Sequence, residues 1–98
     1  MNEGDTTQLD DVLHALANAT RRRIIRLLSA QPGLTTSQIA SRTPNMSRWG
    51  VMKHLAVLRD AGLVHSLEEG RHRRHYRDDA PLELLGRWLE EGEDCGAA

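Results

Sequence analysis

The side chains able to do chemistry in this 98-residue chain are five histidines, one cysteine, scattered hydroxyls and thirteen basic residues. As catalysts they do not assemble. Ser47 and His54, the nearest approach to a nucleophile and its base, stand seven positions apart on what reads as one helix. That spacing is about 10 Å of helix rise, too far for proton transfer between them. No Gly-rich phosphate loop or paired carboxylate motif sits on a strand-to-helix turn, so no enzyme is expected. His65, His72 and His75 lie close in sequence, but no cysteine or carboxylate completes a ligand set, and whether they share a face depends on the loop around Gly70. Neither a metal nor a cofactor is expected. Cys95 stands alone in a small-residue acidic tail, with no partner for a disulfide and no Cys-x-x-Cys pattern.

What remains is recognition of negative charge. The formal net charge of −1 hides a segregation. Residues 20–77 hold twelve basic side chains against three acidic ones, a net of +9, while residues 1–19 carry −4 and residues 78–98 carry −6. A basic centre between acidic ends is the electrostatic footprint of a polyanion partner. Within it, Arg48 and Lys53 follow Ser47 at the start of a helical pattern, and Arg71, Arg73 and Arg74 surround a glycine turn. A guanidinium can grip the guanine edge through two hydrogen bonds, and a row of arginines can track phosphates or enter a minor groove.

The elements that must position these groups follow from periodicity and caps. Leu9, Val12, Leu13 and Leu16 recur with helical spacing, which predicts a helix over 8–17 with Thr7 as N-cap and residues 1–7 as a flexible N-terminus. A break at 18–20 precedes a second helix over 21–29, whose Ile24, Ile25, Leu27 and Leu28 face inward and whose arginines face out. Thr35 and Gln38 satisfy the capping-box pattern and predict a short helix over 36–42. After the turn 43–46, Ser47 caps a helix buried along Val51, Leu55 and Leu58 and ended by Gly62. Strands over 63–69 and 71–77 flank Gly70 as a hairpin. A last helix begins near Asp78 with Leu82, Leu85, Trp88 and Leu89 as its apolar stripe, and residues 91–98 read as a disordered acidic tail.

Two helices joined by a turn of about four residues, the second opening on polar and basic side chains and followed by a basic hairpin, make a winged helix-turn-helix. The fold class expected is therefore mainly α with a small β-hairpin wing, one domain over 8–90. The runs LHALANATRRRIIRLL (13–28), MSRWGVMKHLAVLRDAGLV (46–64) and EGRHRRHY (69–76) resemble the ArsR family of winged-helix repressors. The likeness spans about residues 8–90. It implies a homodimer formed by the first and last helices, binding a palindromic operator near its own promoter and repressing it. Metal-sensing members carry a cysteine pair in the helix before the recognition helix; residues 36–42 have none. Others place aspartate and histidine ligands on the last helix, where this chain offers Glu83, Glu90 and Glu91 but no histidine. Classical metal sensing is not expected. The form SRWGVMKHL is similar to a branch often encoded beside small ligand-binding proteins, which implies a non-metal input through a small molecule or a protein.

The expected partner is double-stranded DNA. Ser47, Arg48, Met52 and Lys53 would meet it from the recognition helix, with Gln38 a capping residue first and a DNA contact second. Trp49 has two readings: it stacks on a sugar or thymine methyl, or it covers the turn 44–46. His54 also has two, a phosphate anchor or a histidine satisfied against the neighbouring helix, and the family resemblance favours phosphate. Leu9, Val12, Leu13 and Leu16 with Leu85, Trp88 and Leu89 are expected at the dimer interface, since a chain this short gains needed apolar burial from a partner. Apolar stretches of four or five residues cannot span a bilayer, and no basic-then-apolar leader opens the sequence, so a cytoplasmic, membrane-free protein is expected. The competing function is a winged-helix interaction module that docks an acidic protein through Trp49 and the basic face.

Overall fold

The computed structural model describes residues 2–91. In chain order they form α1 (Glu3–Leu16), α2 (Ala19–Ala30), β1 (Leu34–Thr35), α3 (Thr36–Ser41), α4 (Arg48–Asp60), β2 (Val64–Glu69), β3 (His72–Arg77) and α5 (Ala80–Glu91). The three strands make one antiparallel sheet in the order β1-β3-β2. Cys95 and the tail expected over 91–98 lie outside the described residues from 92 onward, and Glu91 closes α5.

α1 begins five residues before the position expected from its apolar stripe. Asn2, not Thr7, is the N-cap: its Oδ1 accepts from the Asp5 N–H at 2.8 Å. Glu3 and Asp5 in the first turn complement the positive end of the helix dipole. Thr7 lies inside the helix, its hydroxyl donating to the Glu3 carbonyl at 3.1 Å. Residues 3–7 are thus helical rather than a flexible leader. The break before α2 is also narrower than expected, because Asn18 caps directly, accepting from the Arg21 N–H at 3.1 Å.

Local chemistry at the remaining boundaries follows the sequence closely. Thr35 and Gln38 form the reciprocal capping box, with bonds of 2.9 and 3.2 Å. α4 ends in a Schellman motif: the Leu63 N–H donates to the Leu58 carbonyl and the Gly62 N–H to the Arg59 carbonyl, both at 2.9 Å. Gly62 takes φ 76°, which a β-carbon would disfavour. β2 and β3 pair in register from Val64↔Arg77 to Glu69↔His72. The two-residue turn between them opens on Gly70 at φ 60°, the conformation that a type II′ hairpin turn requires of its first central residue.

β1 was not foreseen. Its two residues pair with β3, Leu34 opposite His75 and Thr35 opposite Arg74. It joins the wing to the start of α3 and so ties the sheet into the helical body. The core gathers Val12, Ile24, Leu28, Ile39, Leu55 and Leu58, drawn from four helices. α1 and α5, from the two ends of the chain, pack side by side, and Leu9 and Leu84 are buried outside the main cluster.

Burial divides the seven residues expected at a dimer interface. Val12 is 0% exposed and belongs to the core of the single chain, and Leu9, outside that cluster, is 6% exposed. Both are removed from the interface set. Their helix turns them inward, onto the stripe that also holds Ala15. Leu16 and Leu85 are half-buried against the core, while Leu13, Trp88 and Leu89 stand exposed.

Candidate nucleic-acid interface

The α4 helix has a buried and an open side. Val51, Leu55 and Leu58 are locked in the core, whereas Arg48, Trp49, Met52 and Lys53 are exposed along its first two turns. Ser47 Oγ accepts from the Gly50 N–H at 3.0 Å. The first-turn N–H groups of any helix lack intrahelical acceptors, which makes this end of α4 suited to a phosphate. Gly50 is a residue the sequence reading passed over: a β-carbon there would collide with Met46 Sδ. Met46, half-buried against the core, therefore seals the helix start. Trp49 is 64% exposed, with Lys53 Nζ 5.3 Å from its ring centroid in a cation–π contact.

Two expected contacts are turned to structural work. Gln38 is exposed, and its Oε1 accepts the Thr35 N–H, so its side chain is held in the capping box. His54 faces α2, where its Nδ1 lies 3.4 Å from Arg21 Nη1. Burial, and then the Arg21 charge, lower its pKa, so the imidazole stands as a neutral neighbour of Arg21. The same arginine donates to the carbonyls of Ala15 at 2.6 Å and His14 at 3.2 Å, closing the end of α1. His54 thus has a neighbour on α2 for its Nδ1, as expected of a histidine set against the neighbouring helix.

The wing arginines also differ among themselves. Arg71 is exposed at the turn, and Arg73 is exposed with only a 3.9 Å approach to Glu68. Arg74 is half-buried: it donates to the Gly33 carbonyl at 2.9 Å and lies 3.2 Å from Glu69. It braces the wing against the turn before β1 and is not free at the wing tip as expected. The pleat separates His75 from His65 and His72. His65 stacks on Tyr76 with centroids 5.3 Å apart, His72 is exposed beside the turn, and His75 points to the opposite face.

His75 is the structural residue that the sequence reading missed. It is 1% exposed, with Nδ1 2.7 Å from Ser66 Oγ on β2 and Nε2 2.8 Å from Thr36 Oγ1 at the start of α3. A neutral imidazole donates at one nitrogen and accepts at the other, and hydroxyls serve either sense. Burial, aided by the charges of Arg59 and Arg73, pushes its pKa down from 6.5 to about 4. The available signal was the composition of β3: in His-Arg-Arg-His-Tyr-Arg some residue must face inward, and histidine is the least costly of the polar choices.

A helix-turn-helix whose second helix opens outward on cations, followed by a basic hairpin, defines a winged-helix DNA-binding protein. Residues 16–66 match the Helix-turn-helix domain family. The uncharacterised HTH-type transcriptional regulator YuzN of Bacillus subtilis is 37% identical over 87 residues, covering 83% of this chain and 95% of YuzN. Among solved structures, an ArsR family transcriptional regulator superposes with a TM-score of 0.83 at 30% identity, covering 95% of this chain and 94% of its own. An ArsR-like transcriptional regulator from Rhodococcus sp. RHA1 follows at a TM-score of 0.81 and 35% identity, covering 99% and 84%. The chain belongs to the ArsR family of winged helix-turn-helix transcriptional regulators. Among the described residues, no helix is long and apolar enough to cross a membrane.

Proposed function

We propose that the protein works as a homodimer that binds a palindromic operator at its own promoter and represses it, placing α4 of each subunit in successive major grooves about 34–36 Å apart. The observation that carries the reading is the open side of α4: Arg48, Trp49, Met52 and Lys53 exposed together, beside a wing whose Arg71 and Arg73 are also exposed. Leu13, Trp88 and Leu89 supply an apolar surface on α1 and α5 that supports pairing with a second copy. Ser47 and the exposed wing arginines would hold phosphates, and Arg48 would read a base edge. A DNA partner places the protein in the cytoplasm with the chromosome.

The input is proposed to be something other than the family's thiolate metal site, because α3 contains no cysteine. A small molecule or partner protein is the remaining class. The reading of the molecule as a protein-docking module draws no support from relatives described as transcriptional regulators. The test is a pair of variants assayed on the gene's own upstream fragment and on random DNA. Arg48→Ala is expected to relax base preference, and Arg73→Ala to weaken all sequences alike and lower the salt slope by about 1. Equal, sequence-blind losses from both would contradict the assignment of roles.

A further inference from the structure

We infer that the recognition helix reads thymine through its 5-methyl group, with Trp49 and Met52 as the specificity-determining residues; the inference rests on the DNA-binding reading above. Trp49 is 64% and Met52 46% exposed. They stand three residues apart on α4 and therefore share one face of it. Single exposed apolar residues are ordinary, but two large ones side by side in a stripe otherwise made of cations need a partner. They are not held back for the core, because Val51, Leu55 and Leu58 already fill that side and Met46 seals the helix start.

The flanking charge identifies the partner. Arg48 precedes Trp49, and Lys53 sits over the indole at 5.3 Å, so an apolar protein surface docking here would have to desolvate both cations. A DNA groove would not, since its phosphates neutralise them while the apolar pair descends to the bases. In the major groove the apolar substituent presented by the bases is the thymine methyl. Methionine has no hydrogen-bond donor and tryptophan only its indole N–H, so most of the surface the pair presents is apolar and is matched by a methyl rather than by a polar base edge. The Lys53 contact restrains the indole before DNA arrives, which lowers the ordering cost of using so large a side chain as a reader.

The experiment compares the gene's upstream fragment made with thymidine, the same fragment made with deoxyuridine, and a random-sequence fragment of equal length. Deoxyuridine removes the methyl and leaves the hydrogen-bonding edge intact. The expected result is that the thymidine fragment binds more tightly than random DNA, and that the deoxyuridine fragment loses about fourfold in affinity for each methyl lost, at least tenfold over two half-sites. Trp49→Ala combined with Met52→Ala, two exposed positions that leave the core untouched, is expected to weaken thymidine DNA and bring the two fragments to equal affinity, and Trp49→Ala alone to narrow the difference. Arg48→Ala is expected to weaken both while preserving their ratio. A thymidine fragment bound specifically, with a deoxyuridine fragment bound equally well, would overturn the methyl reading and leave the DNA-binding proposal standing. Binding no better than random DNA on both fragments would overturn the two together.

Discussion

His75 shows how one buried side chain couples the wing to the reading head. Its ring joins β2 to the first residue of α3, the helix that precedes the recognition turn. The unfolded chain binds a proton at this imidazole near pH 6.5, whereas the folded protein resists it down to about 4. Between those values protonation favours the unfolded state, so stability is full above pH 6.5 and is lost as pH falls, by up to about 1.4 kcal/mol per pH unit. Urea denaturation at pH 7 and pH 5 should show this loss in the natural protein and a much smaller one in His75→Asn. An equal pH response in both would place the sensitivity elsewhere.

At the scale of elements, the wing is held as much as it is exposed. Arg74→Ala should lower the melting temperature as well as DNA affinity, because it frees the Gly33 carbonyl from its brace, while Arg71→Ala should affect affinity alone. Thermal unfolding read by circular dichroism separates the two. Capping chemistry made α3 and α4 legible from sequence: Thr35 with Gln38, Ser47 and Gly62 each act within a few residues of themselves. The start of α1 was less legible, since its apolar stripe begins only at Leu9 and Asn2 was not weighed as a cap. β1 was invisible because two residues carry no periodicity; its existence depends on β3, some forty residues later. The open face of α4 was legible because core and solvent alternate with helical period. The fates of His54 and Arg74 were not, because each is decided by a partner on another element.

For the whole molecule, the basic centre proves to be two populations. Arg21, Arg22 and Arg23 donate to carbonyls at the ends of α1 and α3, serving the fold while still adding to the field. Arg48, Lys53, Arg71 and Arg73 are left exposed on α4 and the wing. Glu3, Asp5, Asp10 and Asp11 lie on α1 and Glu83, Glu90 and Glu91 on α5, where negative charge would discourage docking on a polyanion in the wrong orientation. The same two helices carry the exposed Leu13, Trp88 and Leu89. Leu89→Glu should therefore leave the helical signal unchanged while shifting the sedimenting species from a dimer to the 11.0 kDa chain, with a loss of operator affinity. A monomeric natural protein would contradict the assignment of that surface.

The most direct test of sequence-specific binding by a paired recognition helix is a footprint of the purified protein on its own upstream region over a salt series. The expected result is protection of two half-sites one helical turn apart, tighter than binding to random DNA, with affinity falling ~10³–10⁵-fold between 50 and 200 mM salt if six to ten phosphates are engaged. No protection, or affinity indistinguishable from that for random DNA at every salt concentration, would contradict it.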